Sequence, residues 1–187
     1  MISFNIIKNE YMRKAIFLDR DGVINKTFIK NGLPFSPSSF DQLKILPGVK
    51  ESILRLKKLN FLCLVVTNQP DVSRGKIEKK TVIEMNNYLK DEIKLDDIFV
   101  CYHDDHDNCK CRKPKPGLLL EASKKWDINL KKSYIIGDRW KDIEVGKSAG
   151  CKTIFIDCNY KEAKPKNTNF TTDSLLNSVH IIENNIV

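Results

Sequence analysis

The sequence predicts an α/β fold built on a doubly wound, mainly parallel sheet. Three observations predict it. Five short apolar runs recur along the chain, helical patterns lie between them, and acids or other polar residues close the runs. Near-continuous apolar runs suit strands buried on both faces. Alternation of strand and helix makes the sheet parallel. Right-handed crossovers then bring the C-terminal ends of the strands to one edge, where ligands bind in open sheets.

Residues 1–12 are expected to be an extension ahead of the first strand, with Met12 an alternative start. Residues 14–19, Lys-Ala-Ile-Phe-Leu-Asp, read as a buried strand ending in acid. Residues 27–40 read as a loop, expected together with the 101–111 loop to be the only cover over an open site. After Pro47, residues 48–59 carry Val49, Ile53, Leu54, Leu56 and Leu59 at helical spacing. Residues 61–67, 97–101, 133–138 and 152–157 supply the other four strands. Helices are expected at 76–94, 118–126 and 142–149, the last stopped by Gly150. Residues 160–171 read as loop, and 172–184 as a closing amphipathic helix. There is no internal repeat and no linker long enough to separate two units, so 1–187 reads as one domain. That size buries a sizeable core without metals or disulfides.

Composition narrows the function classes. No apolar run approaches the ~18 residues of a membrane span; the longest candidate is 61–66. The N-terminus lacks the basic region, apolar stretch and small-residue cleavage site of a secretory signal, so the cytoplasm is the expected compartment and no membrane contact is expected. A formal charge of +8 admits nucleic-acid binding, yet only six of 32 basic residues are arginine and the lysines are scattered. Four of the arginines, Arg20, Arg74, Arg112 and Arg139, fall in loops assigned below to a phosphate site. Arginine suits bidentate phosphate contacts. The charge is therefore read as fitting a small anionic substrate, with no nucleic-acid partner, on a chain expected to be a monomer.

Six cysteines invite a disulfide reading, but that needs an oxidising context. Cys63 and Cys151 sit in or beside apolar runs and read as small core residues; Cys158 has no assigned role. The stretch 101–111 differs. Cys101, His103, Cys109 and Cys111 place three thiols and an imidazole within eleven residues, in a loop with no apolar pattern. That is a Cys₃His set, a usual tetrahedral Zn²⁺ cage. His106 is a competing ligand, but Cys-x-His supplies two donors on one arm and Cys-x-Cys two on the other. Four protein ligands leave no open position, so the expected role is structural. The bland alternative is a reduced loop with unrelated thiols.

The polar residues that close the runs should converge: Asp19 and Asp21, then Thr67 and Asn68, then Arg112 and Lys113 beyond the metal loop, then Asp138 and Asp142. Any one Asp here is ordinarily a turn or cap residue. Together the acids would repel and raise a pKa unless a cation lay among them. Mg²⁺ takes carboxylate and carbonyl oxygens and is often held by one or two carboxylates plus substrate phosphate.

Four motifs carry a resemblance. Phe17-Leu18-Asp19-Arg20-Asp21-Gly22-Val23-Ile24-Asn25 resembles the first motif of the haloacid dehalogenase (HAD) superfamily of phosphohydrolases. Val66-Thr67-Asn68-Gln69 resembles the second, Cys111-Arg112-Lys113-Pro114-Lys115-Pro116-Gly117 the third-motif region, and Ile136-Gly137-Asp138-Arg139-Trp140-Lys141-Asp142 the fourth. The likeness runs from about residue 14 to about residue 157, in an order and spacing that are highly specific. The Cys-x-His…Cys-x-Cys loop running into Arg-Lys-Pro looks like the branch that holds D-glycero-D-manno-heptose-1,7-bisphosphate 7-phosphatases and histidinol-phosphate phosphatases. The stretch Thr67–Gly75 is closer to the heptose pattern, with Pro70 where that pattern has Ser. Arg139 stands where many heptose enzymes carry Lys.

The resemblance implies a Rossmannoid, HAD-like fold with a minimal cap, since 22–46 is too short for a full cap domain. It implies Asp19 as nucleophile, forming an aspartyl-phosphate, and Asp21 as general acid and base. It implies Mg²⁺ held by the Asp19 carboxylate, the Asp21 backbone carbonyl and the Asp138 carboxylate, with Asp142 orienting the site from a shared helical face. Thr67 and Lys113 would stabilise the phosphoryl group. Asn68, Gln69, Arg74, Arg112 and Arg139 would bind substrate, Arg112 gripping a second phosphate. The implied activity is removal of the 7-phosphate of heptose bisphosphate, a small phosphorylated sugar, for the nucleotide-heptose of surface glycans. Two readings compete: a histidinol-phosphate phosphatase, and a basic zinc-loop module that binds nucleic acid and leaves the strand-end acids unexplained.

Overall fold

The computed structural model describes residues 12–186. All five apolar runs form strands: β1 (Lys14–Leu18), β4 (Phe61–Asn68), β5 (Asp97–Cys101), β6 (Tyr134–Gly137) and β7 (Lys152–Ile156). With β8 (Phe170–Thr172) they make one parallel sheet in the order β5-β4-β1-β6-β7-β8. β1 lies between β4 and β6, so the chain's first and fourth motifs sit on adjacent strands.

Strand residues point alternately to the two faces, which divides the core in two. Ile16 and Leu18 of β1 pack on one side with α1 (Val49–Lys58) and α5 (Leu175–Asn185), through Ile53, Leu56, Val179 and Ile182. Ala15 and Phe17 pack on the other with α3 (Gly117–Trp126) and α4 (Trp140–Ala149), through Leu118, Leu119, Ala122 and Val145. The fifth helix, α2 (Lys79–Glu92), adds Leu89 to the first side. Cys63 and Cys151 are buried, one in each cluster, as core residues, and Cys158 packs half-buried against the first. Burial pushes the thiols of Cys63 and Cys151 up to about 12, which leaves them inert.

Several expectations need correction. Residues 28–35 are not loop but a separate antiparallel hairpin, β2 (Phe28–Lys30) with β3 (Leu33–Phe35). Its turn, Asn31-Gly32, has positive φ at both residues, 55° and 81°. Asn-Gly is the dipeptide such a hairpin turn demands, so the signal was in the sequence. Residues 170–172 are strand rather than loop and helix start; three residues with alternating exposure at a sheet edge give no apolar run. α2 starts three residues later than the pattern predicts, because 69–76 close on themselves in turns. α4 starts at Trp140, ahead of the expected 142. Asp138 therefore precedes the helix, and it shares no helical face with Asp142. Of the extension expected over 1–12, all but Met12 lies outside the described residues. Among the described residues, no helix is long and apolar enough to cross a membrane.

Candidate active site

Adjacent strands β1 and β6 end together, the Asp19 N–H donating to Ile136 O at 3.0 Å. Asp138 follows β6, and Asp142 sits in the first turn of α4. One carboxylate oxygen from each of Asp19, Asp138 and Asp142 lies within 4.8 Å of the others. The cavity above them is also lined by Asp21, Asn68 and Lys113.

Lys113 stands between Asp19 and Asp142. Its side chain is 3% exposed, and Nζ stands 2.9 Å from Asp19 Oδ1 and 2.6 Å from Asp142 Oδ1. It donates also to Val66 O at 2.8 Å, so its three protons are all placed. Asp142 is spent on both sides, since its Oδ2 accepts the Arg139 N–H at 3.1 Å. Burial pushes Asp19 up to about 6; Lys113 opposes that rise, and the charges of Asp142 and Asp21 add to it. Burial, with the charges of Asp19 and Asp142, also raises Asp138. Asp138 Oδ1 is buried with no hydrogen-bond partner among the described residues. A bare buried carboxylate oxygen beside a second raised carboxylate is what a hard divalent cation relieves, so the donor set fits Mg²⁺.

Asp21 is held differently. It accepts from Asn25 Nδ2, Ser36 Oγ and Gln69 Nε2, each at 2.8 Å, and from the Arg20 fork at 3.0 Å. Burial pushes its pKa up, but the Arg20 guanidinium and these donors outweigh it and hold the carboxyl below its ordinary value. Gly22 makes the approach possible: φ is +88°, and a Cβ there would stand 1.9 Å from Asp138 Oδ2.

The remaining expected residues divide in two groups. Asn68, Arg139 and Lys113 line the cavity. Asn68 also clasps the Lys113 backbone, donating to its O and accepting from its N at 3.1 Å. Thr67 is buried and accepts from Gln69 Nε2 at 3.0 Å, so Gln69 supports Thr67 and Asp21 together. Arg20 is wholly buried on Asp21 and Asn86, outside any phosphate contact. Arg74 grips Asp104 at 2.6 and 2.7 Å, and Arg112 grips Asp105 at 2.7 Å and His103 O at 3.2 Å. Both arginines thus brace the loop around 104–105. Arg139 lies in a fork on Glu162, at 2.8 and 2.6 Å.

That loop is the second centre. Cys101 Sγ lies 3.7 Å from Cys109 Sγ, 3.2 Å from Cys111 Sγ and 3.6 Å from His103 Nδ1. His103 Nδ1 is 3.3 Å from Cys111 Sγ, and the Cys109 and Cys111 sulfurs are 3.5 Å apart. A tetrahedron with Zn–S of ~2.3 Å has edges of about 3.8 Å, close to these spacings and far beyond a disulfide's ~2.05 Å. The competing His106 lies outside the cluster, its side chain 74% exposed. Cys111 leads directly into Arg112 and Lys113, so the loop sets the position of the buried lysine.

Residues not singled out from the sequence also serve the site: Thr27, Pro34, Phe35, Ser36 and Lys141 line the cavity, and Tyr160 bonds Asp138 from outside its lining. Lys141 was readable as a cation inside the fourth motif. Thr27, Pro34, Phe35 and Ser36 belong to the 27–40 stretch expected to cover the site, whereas Tyr160 lies in a stretch read as loop with no link to it.

The chain is similar to several known proteins. The HAD-hydrolase-like family model matches residues 110–180. The D-glycero-beta-D-manno-heptose-1,7-bisphosphate 7-phosphatase of Helicobacter pylori is 37% identical over 145 residues, 74% of this chain and 80% of that protein. The enzyme of the same name from Pasteurella multocida is 32% identical, covering 92% of this chain and 98% of its own. A D,D-heptose 1,7-bisphosphate phosphatase from B. bronchiseptica, solved with magnesium and phosphate, superposes with a TM-score of 0.80 at 26% identity, covering 92% of this chain and 99% of that one.

Proposed function

The chain belongs to the D-glycero-D-manno-heptose-1,7-bisphosphate 7-phosphatase family of HAD-like phosphatases, and we propose that it removes the 7-phosphate of D-glycero-D-manno-heptose 1,7-bisphosphate in nucleotide-heptose synthesis. The observation that carries this reading is the pairing of Asp19 with Asp138 across β1 and β6, with Lys113 delivered by a Cys₃His loop. We assign the whole described chain to one phosphatase domain, acting as a monomer in the cytoplasm on a small sugar phosphate.

Asp19 is the nucleophile. Its oxygen bonds to phosphorus in line as the bond from phosphorus to the sugar oxygen breaks. The contact with Lys113 favours the ionised carboxylate that this attack needs, against the upward push of burial. Asp21 gives a proton to the leaving oxygen, then takes one from the water that cleaves the aspartyl-phosphate. Its donor set holds it ionised at rest, ready for the base step. For the acid step Asp21 first takes a proton from solvent, giving up part of that donor set; passing this proton to the leaving oxygen returns it to the carboxylate that serves as base. Thr67 Oγ1 accepts from Gln69, which leaves the hydroxyl proton for a phosphoryl oxygen. Lys113 balances the charge that moves between nucleophile and leaving group.

Asp19, the Asp21 backbone carbonyl and Asp138 would hold Mg²⁺, which when bound neutralises charge on the transferring group. Asp142 acts through Lys113. Cys101, His103, Cys109 and Cys111 would hold Zn²⁺ with no position open, so its role is to order the loop that carries Arg112 and Lys113. Arg139 and Lys141 on the cavity wall, with Arg112 beyond them on the Asp105 that Lys141 also approaches, form the cationic side that receives the second phosphate. Asn68 meets substrate directly. Gln69 and Arg74 serve by supporting Asp21 and the metal loop. The hairpin 28–35 and the metal loop are the only cover we assign to the site, which suits a soluble small molecule.

Phosphate release from both anomers of the heptose bisphosphate and from histidinol phosphate, with Mg²⁺, tests the reading. Release from the 7-position with kcat/KM well above that for histidinol phosphate is expected. The reverse ranking overturns it.

A further inference from the structure

We propose that Tyr160 is a positioning residue for the cation site, fixing Asp138 through its hydroxyl and tying the β2–β3 hairpin to that carboxylate. The inference rests on the reading of Asp138 as a Mg²⁺ ligand and goes beyond it, to a residue outside all four motifs.

Tyr160 Oη donates to Asp138 Oδ2 at 2.8 Å. That proton is then committed, so the contact of 3.1 Å with Thr27 Oγ1 must be a donation from Thr27 to the tyrosine oxygen. The result is a directed chain, Thr27 to Tyr160 to Asp138, running from the arm before the hairpin to the strand-end acid. It makes the two oxygens of Asp138 unequal: Oδ2 is taken, while Oδ1 is buried and bare. A carboxylate with one oxygen pinned cannot rotate freely, and the bare oxygen is the one left for a cation. The room for this is local. A Cβ at Gly22 would stand 2.9 Å from Tyr160 Oη as well as 1.9 Å from Asp138 Oδ2, so a side chain there would expel the hydroxyl.

The neighbours of Tyr160 make it part of a strap. The Lys161 N–H donates to Gly32 O at 2.8 Å in the hairpin turn, and its side chain covers that glycine, where a Cβ would meet Lys161 Cγ at 2.5 Å. Glu162 takes the Arg139 fork and the Trp140 indole N–H, the latter at 3.2 Å. Three consecutive residues thus fasten the cation carboxylate, the hairpin and the cavity's arginine. An ordinary surface loop after β7 would need none of these contacts.

Calorimetric titration of Mg²⁺ into the full-length, zinc-loaded protein without substrate tests the proposal. Tyr160→Phe keeps the ring and removes only the hydroxyl. It should raise the Mg²⁺ Kd by about 10-fold, in line with the cost of losing an outer partner of a metal ligand. Thr27→Val should raise it by a smaller factor, and Asp138→Asn should abolish binding. In turnover, the kcat lost by Tyr160→Phe at low Mg²⁺ should return at saturating Mg²⁺, which a general structural defect would not show. A Kd for Tyr160→Phe within about twofold of wild type overturns the inference. If that variant does not fold, as read from its melt in chelator, an unchanged Kd for Thr27→Val overturns the chain instead. A wild-type protein that takes up no Mg²⁺ overturns the underlying reading and the inference with it.

Discussion

The two metal-competent centres are built in opposite ways. The carboxylate centre draws Asp19 and Asp138 from distant parts of the chain, and they meet because β1 and β6 pair in parallel. The Cys/His centre draws all four donors from residues 101–111. In the first, the protein core makes the site, and the site then bears the electrostatic cost of three acids around one lysine. In the second, the residues from Asp104 to Asp107 contribute no buried side chain, and a metal would supply the order that packing does not. The difference teaches that loss of cation should leave the fold at the first centre and damage it at the second.

The largest effect should come from Asp19, the nucleophile proposed above. Asp19→Asn should lower kcat by on the order of 10⁴-fold or more with little change in the far-ultraviolet spectrum. Activity surviving that change would sink the assignment of Asp19. Metal removal comes next and separates the centres directly. Withdrawal of Mg²⁺ should stop turnover within mixing time and be reversed on re-addition, with secondary structure intact. A zinc-selective chelator, or Cys111→Ser, should act slowly, lower the melting temperature and carry activity down with it. Fast, reversible inhibition by the zinc chelator would count against a structural loop.

Lys141 stands between the two regions, on the cavity wall and 4.0 Å from Asp105 of the metal loop. Lys141→Met should raise KM for a sugar bisphosphate about 10-fold, the cost of one charged contact, and leave KM for the corresponding monophosphate unchanged. Equal losses on both substrates would remove Lys141 from second-phosphate binding.

The smallest effect lies away from both centres and calibrates them. At Asp97, burial pushes the pKa up, but donors from Lys125, Trp126 Nε1 and the Ile98 N–H prevail and hold it below its ordinary value. A depressed folded pKa contributes stability that is full above the ordinary carboxylate value of ~3.9 and fades as pH falls through the folded one. Asp97→Asn should therefore flatten the acid limb of a stability–pH curve and leave activity at neutral pH unchanged. An unaltered acid limb would show that the ion pair with Lys125 is screened away.

Legibility followed locality. Asp19 and Asp138 each follow an apolar run, so the strand and the acid that closes it were readable together there. The Cys₃His set was readable because its spacing lies within one loop. The hairpin was also readable, through Asn31-Gly32, and was missed because Phe28, Ile29, Leu33 and Phe35 are all part-exposed apolar residues with no clean alternation. Tyr160 had no signal at all. Nothing near it in sequence tells that a loop after β7 will turn back onto the residue after β6.

By itself the sequence determined the strand succession, the strand-end acids and the complete donor set of the metal loop, because each is written in residues within one element's length. Tertiary structure alone decided which donors each acid keeps: Lys113 shared between Asp19 and Asp142, four partners on Asp21, one oxygen of Asp138 taken and the other bare. Those allocations depend on distances of a few ångströms between segments far apart in the chain. Hydrogen bonding and desolvation act over that range, whereas sequence periodicity reports only on neighbours.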